Sequence, residues 1–183
     1  MIWAACTLAF FAFLRAGEMT VPNNQTFDES THLSVLDVAV DDATNPAVLR
    51  IKIKLSKTDP FRRGVYLYVG RTGSNLCAVS AMLDYLNIRG MSPGPLFRFE
   101  DGRALSRQLF VEAVRDGLCK AGIDQDKYCG HSFRIGVATT AAAKGIEDSL
   151  IKTLGRWESL AYLQYVKLPR SQLAGVSNIL ATP

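Results

Sequence analysis

Two residues with complementary phosphate chemistry lie three positions apart in the second half of the chain. His131 and Arg134 belong to the stretch GHSFR, and an alanine-rich run over residues 137–143 predicts that a helix follows it. Residues i and i+3 share one face of a helix, so the two side chains are expected to point at the same spot. A guanidinium matches a phosphate, and an imidazole moves protons near neutral pH. The pair therefore indicates phosphate chemistry, provided that other segments supply a nucleophile and further cations.

Further cations stand at the ends of predicted elements. Arg15 follows a long apolar run, and Glu18 is its natural partner, since a charge beside apolar residues is costly unless it is paired. A purely structural Arg–Glu pair explains the same spacing. Lys57 lies in the loop of a predicted hairpin, where a solvated lysine is equally ordinary.

A basic surface is predicted on this hairpin. Strand residues 48–56 alternate between apolar and polar, which predicts one buried face and one basic face. The cations of the hairpin are Arg50, Lys52, Lys54, Lys57, Arg62 and Arg63. Such a run is typical of a surface that follows DNA phosphates, although lysines also protect exposed sheet edges from pairing.

Several short motifs then occur in a familiar order. They are LRAGE at 14–18, SKT at 56–58, HSFR at 131–134, LGRW at 154–157 and a tyrosine at 165. Together they make the chain resemble the catalytic domain of the tyrosine recombinase (phage integrase) family over essentially its whole length. The phrases SKTDPF and LGRW look most like the Crypton and DIRS-like recombinases of eukaryotic mobile elements.

The resemblance implies roles for individual residues. Arg15 and Arg134 would clamp the scissile phosphate of double-stranded DNA, and His131 would hydrogen-bond it or assist proton transfer. Lys57 would protonate the leaving 5′ oxygen. Tyr165 would attack the phosphorus and form a 3′-phosphotyrosyl link. Cations alone can stabilise such a transition state, so neither a metal ion nor a cofactor is expected.

One motif departs from the family pattern. The family places a second histidine or a tryptophan in the LG-x slot, where this chain has Arg156 followed by Trp157. Spacing to the nucleophile favours Arg156, whereas residue type favours Trp157. We assign Trp157 as the catalytic contact on the basis of residue type and keep Arg156 open, with Arg156 and Glu18 as supporting residues. Tyr162 is the alternative nucleophile to Tyr165.

Two other functions remain open. This departure is also compatible with a DNA- or protein-binding module that has lost catalysis, and a type IB topoisomerase shares the chemistry. Residues 171–180 form an amphipathic segment whose helix would pack locally. The resemblance implies instead that it docks on a neighbouring protomer assembled on DNA.

Composition agrees with a globular intracellular protein. The chain has 183 residues, 48% of them hydrophobic, with a net charge of +4 and an isoelectric point near 8.9. Its four cysteines lack zinc-ligand spacing, which favours reduced thiols, mostly in the core. No targeting signal or membrane span is visible, so a nuclear location is expected if the host is eukaryotic. The apolar start predicts a single catalytic domain over 1–183 whose N-terminal core-binding domain is missing.

Periodicity predicts the elements that must position these residues. Helices are expected at 2–15, 75–89, 107–121, 132–144, 147–154, 158–167 and 171–180, and strands at 33–40, 48–56 and 65–69. The predicted fold class is mostly α with a small antiparallel three-stranded sheet (α+β), the fold of a tyrosine recombinase catalytic domain.

Overall fold

The computed structural model describes residues 1–23, 26–55, 64–159 and 163. Within this part of the chain the fold is mostly helical with one three-stranded antiparallel sheet, which confirms the predicted fold class. The helices are α1 (Ile2–Phe11), α2 (Ala16–Met19), α3 (Ala78–Arg89), α4 (Arg107–Lys120), α5 (Ser132–Ala143) and α6 (Asp148–Gly155). The strands are β1 (Val38–Val40), β2 (Val48–Ile53) and β3 (Val65–Gly70).

The sheet separates an apolar face from a basic one. Its strand order is β1-β2-β3, and both pairs are antiparallel. Side chains alternate across a strand, and Leu49, Ile51 and Ile53 of β2 are accordingly buried. Arg50 and Lys52 project from the opposite face. The strand therefore follows the predicted alternation, although it ends at Ile53 rather than at residue 56.

Helix α1 forms the centre of the core. It is apolar nearly all round, and it packs against α3 on one side and α5 on another. Short side chains such as Ala5 and Ala9 are fully buried and allow these helices to approach closely. A second, smaller cluster joins α5 to α6 through Val137, Ala141 and Ile151. The two clusters hold the ends of α1, α5 and α6 near one another.

The first helix is shorter than predicted. It ends at Phe11 rather than at residue 15, and Phe13 adopts a left-handed conformation with φ of 53°. The amide of Leu14 donates to the carbonyl of Ala9 across this turn. Left-handed backbone is uncommon for a bulky residue, so surrounding contacts must hold it. The turn directs the chain at Arg15 away from the axis of α1.

Other differences from the predictions are local. The segment predicted as a strand at 33–40 is a 3₁₀ turn, Val35–Asp37, followed by the short strand β1. Cys119 and Cys129 are exposed rather than in the core, because Cys119 lies on the solvent side of α4. Within the described residues, no helix is long and apolar enough to cross a membrane. The helices predicted at 158–167 and 171–180 lie almost entirely outside the described residues.

Candidate functional site

An open pocket collects three of the chain's basic side chains. It has a volume of about 240 Å³, and Arg15, Arg107 and His131 are the basic residues that line it. Its other lining residues are Ala16, Gly17, Glu18, Leu55 and Gly130. The pocket therefore draws on four segments of the chain, and two of the predicted catalytic residues, Arg15 and His131, meet there.

Arg15 lies at the start of α2, where Glu18 holds it. Its backbone amide donates to Glu18 Oε2 at 2.8 Å, and its Nη1 donates to Glu18 Oε1 at 2.9 Å. An acidic residue in the first turn of a helix also complements the helix dipole. The Arg15 side chain keeps 21% of its surface exposed, whereas Glu18 keeps 5%. The predicted pairing is present, and it leaves part of the guanidinium open to the pocket.

His131 is the residue immediately before α5. Its carbonyl accepts the amide of Ile135, which starts the helix, and its side chain is exposed on the pocket wall. The turn before it is closed by Ser132, whose Oγ accepts from the amide of Cys129 at 2.9 Å. Phe133 packs against Phe110 of α4, with ring centroids 5.7 Å apart. These contacts set the position of His131 relative to α4.

Arg134 occupies a different environment from His131. It is 4% exposed, and its guanidinium donates from Nη1 to Phe13 O at 2.6 Å and from Nη2 to Gly155 O. The two side chains were expected to point at one spot. The structure places His131 on the pocket wall and Arg134 behind it, because carbonyls at the ends of α1 and α6 attract the guanidinium.

Trp157 lies against this buried arginine. The Arg134 guanidinium sits over the indole ring at 4.2 Å from its centroid, and Phe13 packs edge-on against the same ring. The ring also covers Gly155, where an added methyl group would overlap it. The residues lining the open pocket do not include Trp157. Its described contacts are those of a side chain that fixes Arg134.

Arg156 turns towards the pocket residue Glu18. Its Nη2 donates to Glu18 Oε2 at 2.6 Å and lies 3.5 Å from Phe13 O. The side chain is 9% exposed, and its Nε and Nη1 have no hydrogen-bond partner among the described residues. Burial lowers the pKa of Arg156, an effect that the Glu18 carboxylate opposes. Glu18 thus bridges two arginines, Arg15 at the start of α2 and Arg156 at the end of α6.

Two unusual backbone conformations meet at this point. Phe13 and Arg156 are the described non-glycine residues with positive φ, at 53° and 54°. Arg156 caps α6 in the left-handed conformation, with its amide bonded to Thr153 O and the next amide bonded to Lys152 O. This turn sends successive side chains, Arg156 and Trp157, in different directions. Strained backbone of this kind is concentrated at functional sites.

Several predicted site residues lie outside the described part of the chain. Lys57, Arg62, Arg63 and Tyr165 belong to this group, as does the alternative nucleophile Tyr162. Leu55, two residues before Lys57, is part of the pocket wall, so the chain leaves β2 at the pocket. Among the described residues, no three His, Cys, Asp or Glu side chains lie close enough to hold a metal ion.

The basic strand residues differ in their availability. Lys54 forms an ion pair with Asp37 at 2.7 Å and also donates to the carbonyls of Glu29 and His32, so its ammonium is used within the fold. Arg50 is exposed and lies over the Tyr66 ring at 5.4 Å from its centroid. Lys52 is half-buried and stands opposite Tyr66 in the β2–β3 register.

The structure adds three residues that sequence reasoning missed. Arg107 lines the pocket, Phe13 supplies the carbonyl that two arginines share, and Gly155 makes room for the indole ring. The only local signal for any of them was a basic residue directly after the predicted helix cap Ser106. Carbonyl acceptors and ring overlap leave no trace in composition or periodicity.

Comparison with known proteins identifies the fold. No family profile and no curated protein matches the sequence. The structure is similar to that of XerA recombinase, with a TM-score of 0.70 and 19% identity over 100% of this chain and 57% of that chain. It also resembles XerH site-specific recombinase in a post-cleavage complex with palindromic difH substrate, with a TM-score of 0.70 and 18% identity over 97% of this chain and 44% of that chain.

A third solved structure extends the similarity to a transposon protein. The Tn1549 transposon integrase, in complex with circular intermediate DNA, matches with a TM-score of 0.55 and 12% identity over 96% of this chain and 56% of that chain. The chain thus spans about half the length of the structures that it matches. At these identities the shared property is the fold, which is that of tyrosine recombinase catalytic domains.

Proposed function

We propose that the protein cleaves and rejoins DNA strands through a 3′-phosphotyrosyl intermediate, as a site-specific recombinase or integrase. The observation that carries this proposal is the meeting of Arg15 and His131 at one open pocket. Both residues were singled out from sequence motifs, and the fold around them is that of solved tyrosine recombinases. Arg134 lies behind the pocket and is linked to it through Phe13, whose carbonyl also faces Arg156.

The chemistry needs a nucleophile, a general acid and fixed positive charge. His131 accepts the phenol proton as the Tyr165 oxygen attacks the scissile phosphorus, and the 5′ oxygen leaves with a proton from Lys57. The 5′ hydroxyl of the same or another strand then attacks the phosphotyrosine and returns a proton to Lys57. Tyr165 leaves with the proton held by His131, and a phosphodiester is restored. Fixed cations stabilise the charge on the equatorial oxygens, and the covalent link conserves the bond energy, so no ATP is consumed. The sequence resemblance supports the roles of Lys57 and Tyr165.

The contacts favour a different division of roles between Arg156 and Trp157 from the one that residue type suggested. Arg156 reaches Glu18 on the pocket wall and keeps two N–H groups without a described partner. Trp157 stacks on Arg134. We therefore assign Arg156 as the cation of the LG-x slot that approaches the phosphate and Trp157 as a positioning residue for Arg134.

The SKTDPF and LGRW phrases support a finer placement with recombinases of eukaryotic mobile elements, in which case the protein works in the nucleus.

Recombination requires paired cleavage events, so we also propose that protomers assemble on DNA through residues 171–180. Deletion of residues 171–183 should leave the folded core intact and abolish the larger complex on DNA in analytical ultracentrifugation. An unfolded deletion product would show instead that the segment packs locally.

The proposed function is tested with nicked DNA that traps the intermediate. A library of nicked duplexes with randomised sequence is incubated with the protein, and adducts that survive detergent are recovered and sequenced. The expected result is an adduct that Tyr165→Phe abolishes and Tyr162→Phe preserves. Adducts that persist in Tyr165→Phe would overturn the assignment of the nucleophile.

The alternative is a DNA-binding module without catalysis. The observation that favours it is the ion pair between Arg156 and Glu18. In this pair the cation of the LG-x slot is neutralised by the carboxylate of the pocket wall. In that case the wild-type protein binds duplex DNA in a salt-dependent manner and forms no adduct on any member of the library. Recovery of a single Tyr165-dependent adduct excludes this alternative.

A further inference from the structure

We infer that Arg107 is a DNA-binding residue of the pocket and holds a backbone phosphate of duplex DNA beside Arg15 and His131. The inference deepens the proposed function and rests on it only in taking DNA as the ligand. Neither the sequence motifs nor the fold similarity assigns a role to this residue.

The Arg107 side chain is a cation on the pocket wall that has no partner among the described residues. Its side chain is exposed, and it makes no hydrogen bond or ion pair with any described residue. Other arginines of α4 and the preceding loop are engaged within the fold: Arg103 pairs with Asp101 at 2.6 Å, and Arg115 donates to Tyr128 O at 3.1 Å. An unpaired guanidinium in a concave basic site is available to a phosphate ligand.

Gly130 provides the place where this guanidinium lies. A methyl group built on Gly130 would come within 3.5 Å of Arg107 Nε and 3.6 Å of its Nη2, and within 3.3 Å of the Ala16 Cβ. The guanidinium therefore rests against the backbone of the residue that directly precedes His131. This close packing brings a cation from α4 to the same pocket wall as two predicted phosphate-binding residues, Arg15 and His131.

The position of Arg107 on α4 is unfavourable for a residue with a purely structural role. It is the first residue of the helix, whose first turn contains no acidic residue to offset its charge. The helix dipole is positive at this end, so a cation there is repelled, whereas an anion is attracted both by the dipole and by the guanidinium. The first amides are already satisfied by Val21 O, Asn23 Oδ1 and Ser106 Oγ. Hence the side chain is the group left to bind a ligand.

Charge balance points in the same direction. Among the described residues that line the pocket, Glu18 is the only carboxylate, and Arg15 and Arg156 both contact it. These two arginines and one glutamate leave a single net positive charge, and Arg107 raises it to two. A duplex presents closely spaced phosphates, so a second positive charge at the pocket can bind a second phosphate and increase the affinity for DNA.

The test measures binding of the full chain to a fluorescent duplex of arbitrary sequence over a salt series. Each lost phosphate contact lowers the slope of log affinity against log salt by about 0.9. We expect Arg107→Gln to lower the slope by about that amount and to weaken binding at low salt about 10-fold. Arg107→Lys should retain the slope because it keeps the charge. Arg103→Gln is the matched control and should leave both quantities unchanged.

A second variant tests the geometry. The methyl group of Gly130→Ala meets the guanidinium at van der Waals distance and removes no charge, so the slope should equal that of the wild type, and any change in affinity at low salt should disappear in the Arg107→Gln background. An Arg107→Gln slope equal to that of the wild type, or an absence of salt-dependent binding, would overturn the inference. The measurement is repeated in Tyr165→Phe, where no strand cleavage is expected. A reduced Arg107→Gln slope in that background, together with a complete lack of adducts from the wild-type protein, would reject strand transfer while leaving the inference intact.

Discussion

The buried arginines and the exposed arginines of this site are held in opposite ways. Arg134 and Arg156 are almost fully buried and are bound by backbone carbonyls, an indole ring and Glu18. Arg15 is partly exposed with one ion-pair partner, and Arg107 is exposed with none among the described residues. A buried cation must recover its lost hydration from neighbouring groups, whereas an exposed cation remains solvated until a ligand arrives. Folding should therefore depend more strongly on Arg134 and Arg156 than on Arg15 and Arg107.

This difference couples the assembly of the site to folding. Phe13 lies just beyond the end of α1 and Gly155 is the last residue of α6, and Arg134 connects their carbonyls across the small core cluster. The loss of that connection separates the elements that carry Arg15 and Arg156. Loss of an exposed arginine removes only charge from the pocket.

The largest effect is expected for Arg134→Ala. The substitution leaves Gly155 O without its partner and removes the cation stacked on Trp157, so the free energy of unfolding should fall by about 3 kcal/mol. Urea denaturation followed by circular dichroism measures the change. Arg134→Lys keeps the charge but cannot bridge both carbonyls, so its free energy of unfolding should lie between those of the wild type and Arg134→Ala. A loss below about 1 kcal/mol would contradict the proposed coupling of site assembly to folding.

Glu18→Gln should be the next most damaging change. It removes the counter-charge of buried Arg156, which costs about 2 kcal/mol of unfolding free energy, while the pocket becomes more positive and should bind duplex DNA more tightly. Opposite signs for stability and DNA affinity distinguish this residue from an ordinary structural glutamate. Asp101→Asn breaks the exposed ion pair with Arg103 and serves as the control, with little change in either quantity. Weaker DNA binding by Glu18→Gln would contradict the prediction.

Gly155→Ala tests the packing of the indole ring. The added methyl group overlaps Trp157, and displacement of that ring should cost about 1–2 kcal/mol in unfolding free energy and alter the near-ultraviolet circular dichroism of the tryptophan. Gly117→Ala is the matched control within α4, because no atom lies within 4 Å of the added methyl group. It should stabilise the protein by about 0.5–1 kcal/mol. Equal effects of the two substitutions would show that the ring is free to move.

Arg15→Gln should have the smallest effect on stability. The pair with Glu18 is partly exposed, so the loss should remain below about 1 kcal/mol. Adduct formation on a nicked duplex should nevertheless fall by about 100-fold or more, because the lost charge is one that stabilises the transition state. Single-turnover kinetics on a substrate recovered from the library measures this loss. Unchanged kinetics would remove Arg15 from the proposed catalytic set.

The amino-acid sequence by itself determined the local features. The alternation in residues 48–53 specified which face of β2 is buried, and the spacing of Arg15 and Glu18 specified their pairing at the start of α2. His131 was correctly placed at the start of a helix. These are interactions between neighbours in the chain, and periodicity and spacing encode them directly.

Only the tertiary structure decided which side chains share an environment. His131 and Arg134 are three residues apart, yet carbonyls at Phe13 and Gly155 draw Arg134 away from the pocket wall. The left-handed turn at Arg156 separates this residue from Trp157, and the packing of α4 brings Arg107 to the pocket. Each outcome depends on acceptors or space supplied by distant segments, because a buried guanidinium goes where its hydrogen bonds can be satisfied.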